Sequence, residues 1–251
     1  MTPAEMLAVF AAGIGAGAIN TAVGSGSLIT FPVLLAVGLP PVTAAVSNAL
    51  GVVPGSVSGA IGYRRELGGQ GRRIRRLSTG ALLGGISGAA LLLALPAAAF
   101  EAIVPALMGL ALILVACQPL ISRSVRRRAP RADRAGGPLL FTGLTLASVY
   151  GGYFSAGQGI IYLSLMGMLL DETLQRLNAI KNVLVAVVNA VAALFFLFVA
   201  DFDWTAVVLI AAGSALGGQF GASIGRRFSP PVLRGLVLAV GIVAIVQLLL
   251  H

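Results

Sequence analysis

Charged residues are scarce in this sequence, and that scarcity excludes the usual architecture for a chain of its length. Only 10% of the 251 residues are Asp, Glu, Lys or Arg, against 58% hydrophobic, and the mean hydropathy is +0.99. A soluble domain carries roughly 25% charged residues, which cover its water-facing surface. With so few, most of the exterior must face lipid, and no sizeable soluble domain fits. Cysteine is nearly absent too: Cys117 stands alone in an apolar run, so no intrachain disulfide can form and a packing role is expected. The single histidine, His251, is the last residue and supports no metal site. There is no nucleotide-binding Gly-x-x-x-x-Gly-Lys-Ser/Thr and no nucleophile beside a base, so neither catalysis nor a cofactor is expected. No basic residue precedes the first apolar run, which argues against a cleavable signal peptide.

What is present is apolar sequence in long runs, with 33 glycines scattered through it as membrane helix packing favours. The runs cover 42–63, 78–96, 102–121, 177–200, 204–225 and 232–250. Each is close to the ~20 residues that cross a bilayer once. Two others, 5–38 and 138–170, are too long for one ordinary span. Gly24-Ser25-Gly26-Ser27 interrupts the first and Gly157-Gln158-Gly159 the second. Each long run is expected to be two short helical arms meeting at a break within the membrane.

The net charge of +9 is a topology signal, since no basic groove interleaved with aromatic residues points to nucleic acid. Six arginines lie between Arg64 and Arg76, six more between Arg123 and Arg134, and Arg226 and Arg227 form a third cluster. The positive-inside rule assigns all three to the cytoplasm. Asp201 and Asp203 then lie outside, and both long runs must enter and return on the same side. The N-terminus and His251 are expected outside.

The spacing also repeats. Gly80-x-x-x-Gly84-Gly85-x-x-Gly88 recurs as Gly213-x-x-x-Gly217-Gly218-x-x-Gly221, and Gly24-x-Gly26 as Gly157-x-Gly159, both 133 residues on. Ala45-x-x-Asn48-x-Leu50 recurs as Ala179-x-x-Asn182-x-Leu184. The expected fold is therefore an all-α polytopic membrane protein of two inverted repeats, each a broken-helix hairpin followed by three spans. The first repeat covers 1–121, a basic cytoplasmic linker 122–137, and the second repeat 138–251.

Inverted repeats with broken helices place substrate near the bilayer midplane, at the repeat interface. Irregular backbone survives at that depth only where protein covers it or a cavity adjoins it. Gly24, Ser25, Gly26 and Ser27, with Gly157, Gln158 and Gly159, are thus the first candidate substrate-binding residues. Half-helix N-termini there would offer N–H groups and positive dipole ends to an anion. The plainer alternative is that glycine lets helices cross closely, and it is preferred for the Gly80 and Gly213 series. Asn48 and Asn182, costly in apolar spans, either donate to an anion or bond helix to helix; their matched positions suggest facing neighbourhoods. Lys181 either pairs with an anionic substrate or snorkels to the interface beside Arg176 and Asp171. Ser47 is a further hydroxyl contact, and Tyr150, Tyr153 and Tyr162 flank the second break, where interfacial anchoring competes with a contact role.

The string Val23-Gly-Ser-Gly-Ser-Leu-Ile-Thr-Phe-Pro32 resembles the glycine-rich, proline-terminated opening motif of the TauE/SafE sulfite exporter family. Ala45-Val-Ser-Asn48, Tyr63-Arg64, Ala179-Ile-Lys-Asn182 and Asp203-Trp204 also resemble that family's pattern, so the likeness covers nearly the whole chain. Ser25 departs from it, where members commonly have a further glycine. The resemblance implies a secondary transporter of the bacterial inner membrane that exports small sulfur-containing anions, sulfite or organosulfonates, with a proton or sodium ion as coupling partner. The residues by themselves reach a helical transporter that favours an anion; they do not reach sulfur. One alternative is a transporter of another solute such as a metal cation, disfavoured by the scarcity of embedded carboxylates, His and Cys. The other is a non-transporting scaffold subunit, which has little use for repeated helix breaks.

Overall fold

A computed structural model describes residues 1–127, 137–224, 235, 237–243 and 245–246. Their regular structure is entirely helical: α1 Pro3–Ala22, α2 Ser27–Ala36, α3 Pro41–Gly51, α4 Val53–Gly62, α5 Gly71–Ala94, α6 Ala97–Arg127, α7 Gly137–Tyr153, α8 Gln158–Leu169, α9 Leu174–Val199 and α10 Trp204–Ile224. A short 3-10 turn, Arg64–Leu67, precedes α5. Local chemistry starts several of these helices. The Thr2 hydroxyl accepts from the Glu5 amide at 3.3 Å while the Glu5 carboxylate accepts from the Thr2 amide at 2.7 Å, with Pro3 opening α1. Asp203 accepts from the Ala206 amide at 2.7 Å and so caps α10.

Six helical stretches among the described residues are long and apolar enough to cross a bilayer, counting Pro41–Gly62 as one. Their outward faces are apolar: Leu7, Ile113, Leu194, Phe198 and Val199 are all largely exposed. Such a surface is stable against lipid and not against water. The chain is a multi-pass membrane protein.

Several boundaries differ from the sequence expectation. The arms of the first long run are unequal, because α1 has 20 residues and can cross alone while α2 has 10. The run 42–63 is broken at Val52, between α3 and α4. Pro54 explains the break, since it has no N–H to give and its ring crowds the carbonyl one turn earlier. Its counterpart α9 has no proline and runs unbroken for 26 residues. Arg72, Arg73, Arg75 and Arg76 ride on the first turns of α5 and not in a loop, arginine being a good helix former. Helix α6 likewise continues to Arg127, into the expected linker. The rest of that linker to 136, Arg134, Arg226, Arg227, His251 and most of the span 232–250 lie outside the described residues.

Two close crossings organise the bundle, α1 against α10 and α5 against α7. A Cβ on Gly217 would lie 2.0 Å from the Ile14 carbonyl oxygen, and one on Gly221 2.6 Å from that of Ala18. The other crossing matches it: 2.4 Å from Gly84 to the Thr145 oxygen, and 2.1 Å from Gly88 to that of Val149. Both glycine series therefore serve close backbone approach, the packing role preferred for them.

Candidate functional site

The two breaks meet each other. Gly24 sits at φ +92°, and its carbonyl accepts a hydrogen bond from the Gly159 amide at 3.1 Å. A Cβ on Gly24 would lie 2.6 Å from the Gly159 Cα, and one on Gly159 2.5 Å from the Gly24 Cα. Only glycine fits on either side, so this pair brings residues far apart in sequence into backbone contact.

At the first break, α1 ends and leaves carbonyls without intrahelical donors. Lys181, completely buried on α9, supplies them: its Nζ donates to the Asn20 oxygen at 3.0 Å and the Thr21 oxygen at 3.1 Å. The Thr21 oxygen also accepts from Asn182 Nδ2 at 3.3 Å and Asn178 Nδ2 at 3.4 Å. A helix C-terminus carries the negative end of its dipole, which suits an amino group. The Lys181 stem runs beside the glycine contact, its Cδ 3.1 Å from where a Gly159 Cβ would be. Lys181 thus does not snorkel; the interfacial cluster near it is Glu172 with Arg73 and Arg176.

The second break lies at 154–157, earlier than its sequence motif implies. Gln158 and Gly159 already belong to α8, with Gly157 capping it at φ +78°. Ser155 has φ +68°, a left-handed conformation that a side chain rarely adopts. Tyr150 closes this break by donating from its hydroxyl to the Ala156 oxygen at 2.6 Å. The Gln158 side chain folds back over Gly151 and donates to the Tyr162 hydroxyl at 2.6 Å, itself 2.6 Å from Ser148 Oγ. Tyr150 and Tyr162 accordingly act inside the protein and not as interfacial anchors.

A line of polar groups joins the breaks. Ser27 Oγ lies 3.3 Å from Ser155 Oγ, and Ser155 Oγ donates to Asn189 Oδ1 at 3.4 Å. Asn189 Nδ2 donates to Ser56 Oγ at 2.9 Å, which also accepts from Asn20 Nδ2 at 3.3 Å. Such groups are costly inside a membrane unless mutually satisfied. Sequence reasoning missed Asn20, Ser56, Ser155 and Asn189. A signal existed for one of them: Asn178, Asn182 and Asn189 recur at helical spacing on α9 and mark one polar face. The Ser25 hydroxyl, 1% exposed, has no hydrogen-bond partner among the described residues, and neither does Gln158 Oε1. Buried polar atoms are seldom left so. The Ser27 and Gln158 amides, which open α2 and α8, have no backbone acceptor among the described residues.

The remaining candidates, Ser47 and Asn48, have other partners. Asn48 Oδ1 accepts from Thr30 Oγ1 at 2.5 Å and so steadies α2. Ser47 Oγ accepts from the Asp203 amide at 2.9 Å, near the start of α10. Asn48 and Asn182 therefore bond to different helices, α2 and the end of α1, on the two sides of the first break.

A family model described as "Sulfite exporter TauE/SafE" matches residues 9–248. The chain is 27% identical over 262 residues to the probable membrane transporter protein YfcA of Escherichia coli strain K12, covering 99% of this chain and 91% of that one. It is 27% identical to a probable membrane transporter protein of Haemophilus influenzae, covering 93% and 90%. It is 26% identical to the probable membrane transporter protein ORF9 of Sinorhizobium sp, covering 96% and 91%. No solved structure matches the chain.

Proposed function

The chain belongs to the sulfite exporter TauE/SafE family of membrane proteins, and from that premise we propose that it exports small sulfur-containing anions, sulfite or organosulfonates, at the meeting point of its two breaks. The observation that carries this reading is Lys181. It is completely buried, its partners are neutral carbonyls, and it forms no ion pair among the described residues. An ionisable group at such depth is costly and marks a functional position by default. An anion entering beside it brings the missing countercharge.

In this reading Gly24, Ser25, Gly26 and Ser27 face the anion from one repeat, and Gly157, Gln158 and Gly159 from the other. The free Ser25 hydroxyl and the first amides of α2 and α8 are its donors, as helix N-termini suit oxyanions. Lys181 and Asn182 hold the end of α1 against α9, while Ser47 and Asn48 position α10 and α2. The two halves act as inverted repeats, and their glycine contact is the place where alternating access opens and closes. A proton or sodium gradient drives export.

The test is flux from proteoliposomes loaded separately with sulfite, methanesulfonate, chloride or a divalent cation. Sulfite or methanesulfonate is expected to leave faster than from protein-free vesicles, and faster still under an imposed proton or sodium gradient. Absence of flux for both sulfur anions, or faster movement of the cation, overturns the proposal.

A further inference from the structure

A second concentration of charge lies away from the breaks, on the side that loop charge assigns to the cytoplasm. The first turns of α5 and the start of α9 border an open cavity of about 260 Å³, lined by Gln70, Arg72, Arg73, Arg76, Glu172 and Arg176. Four guanidinium groups thus face one carboxylate. Much of this lining is held in place. Glu172 pairs with Arg73 at 2.8 Å and Arg176 at 3.4 Å. Gln70 Oε1 accepts from Arg73 at 2.9 Å, and the Gly68 oxygen from Arg176 at 2.8 Å. Arg76 lies over the Phe141 ring, 5.8 Å from its centroid. Neither Arg72 nor Arg76 has an ion pair among the described residues. The cavity is therefore a fixed basic cradle with two uncompensated cations on its rim. Helix α5 also begins here, with no side chain capping its first amides.

The surroundings indicate which anion fits. Leu139, at the start of α7 beside Phe141, is 70% exposed, and Leu83 on α5 is 57% exposed. Leu83 lies seven residues beyond Arg76, about 10 Å along the helix. An apolar, lipid-facing surface thus begins within an acyl chain's reach of the cradle. Guanidinium groups match phosphate oxygens in geometry as well as charge, and basic pockets at the cytoplasmic ends of membrane helices suit phospholipid headgroups.

We propose that this cavity binds a phosphate-type oxyanion, supplied by the headgroup of an anionic phospholipid whose acyl chains lie along α5 and α7. The inference is independent of what crosses at the breaks. Native mass spectrometry of the detergent-purified protein, titrated with phosphatidylglycerol or phosphatidylcholine, tests it. The wild type is expected to favour phosphatidylglycerol, and the double variant R72Q/R76Q to lose about tenfold of that affinity. The control R64Q/R65Q, which removes the same charge from the neighbouring turn but not from the cavity lining, is expected to keep it. A parallel arm measures thermal stability with inorganic phosphate. If phosphate stabilises the wild type but not R72Q/R76Q, and the lipids are not distinguished, the site stands and its anion is soluble. If R64Q/R65Q loses as much as R72Q/R76Q, or neither ligand separates R72Q/R76Q from wild type, the proposal fails. Circular dichroism and size-exclusion profiles of both variants show whether each is folded; Arg64, Arg65, Arg72 and Arg76 are all exposed, so folding is expected to survive.

Discussion

At the first break the carbonyls that end α1 are satisfied from the far half of the chain, by Lys181, Asn178 and Asn182 of α9. At the second, Tyr150 reaches the Ala156 oxygen from within the same segment. The repeat register makes the contrast sharper. Lys181 precedes Asn182 as Ser47 precedes Asn48, yet Ser47 accepts from the Asp203 amide. The break pattern is thus duplicated but the cation is not. Among the described residues one buried amino group thus serves the meeting point of two similar elements, so the two halves are not equivalent there. It also ties the end of α1 at the first break to α9 through backbone carbonyls, while at the second the backbone carbonyl is met from within the segment and α9 is reached only through the Ser155 hydroxyl.

The largest effect is expected where that asymmetry resides. Lys181→Met removes two buried hydrogen bonds from an amino group, each worth about 1.5–3 kcal/mol when charge-assisted. A stability loss of about 3 kcal/mol in denaturant titration of the detergent-purified protein is expected, together with loss of sulfur-anion flux. The register-matched change Ser47→Ala is expected to cost about 1 kcal/mol and leave flux measurable. Equal losses from the two would erase the distinction between these register-matched positions.

Glycine substitutions separate contact from conformation. Gly24→Ala meets both a left-handed φ of +92° and a Cβ position 2.6 Å from the Gly159 Cα. Overpacking and backbone strain together are expected to cost about 3 kcal/mol. Gly157→Ala meets φ +78° but its nearest neighbour is the Ala111 Cβ at 3.3 Å, so about 1 kcal/mol is expected. Gly38→Ala calibrates the strain alone, with φ +86° and no atom within 4 Å. Thermal melts of the three variants rank them. Should Gly24→Ala match Gly38→Ala, the close approach of the breaks contributes nothing.

Much of this was legible because it is carried by composition and spacing. Apolar runs of span length, the two breaks and the glycine crossings all follow from residue type at fixed intervals. The second break begins before its glycine motif because Ser155 shares the left-handed turn with Gly157, and side-chain chemistry gives no notice of a left-handed serine. Lys181 was ambiguous because a lysine one turn into a span reads equally as an interfacial or a buried group. Its depth is decided by where α1 ends, in the other half of the chain. The line from Asn20 through Ser56 and Asn189 to Ser155 depends on which helix faces meet, and periodicity offers only one side of each meeting. The start of α5 is not legible from its arginines, because charge marks the membrane boundary without marking where the helix begins.

The smallest expected effect tests whether the second break is as self-contained as it looks. Tyr150→Phe removes one neutral hydrogen bond to the Ala156 oxygen and little else, since the ring keeps its edge contact with Phe154 at 6.4 Å between centroids. A cost of about 1 kcal/mol is expected, with flux retained. The left-handed Ser155 and Gly157 remain to turn the chain, and the Ser155 hydroxyl still has Ser27 and Asn189 within reach. Flux that vanished with this change while the melt stayed within about 1 kcal/mol of wild type would mean that the hydroxyl of Tyr150 serves the anion and not the backbone. The second break would then hold a functional group of its own, and the site would be more nearly symmetric than the lone lysine implies.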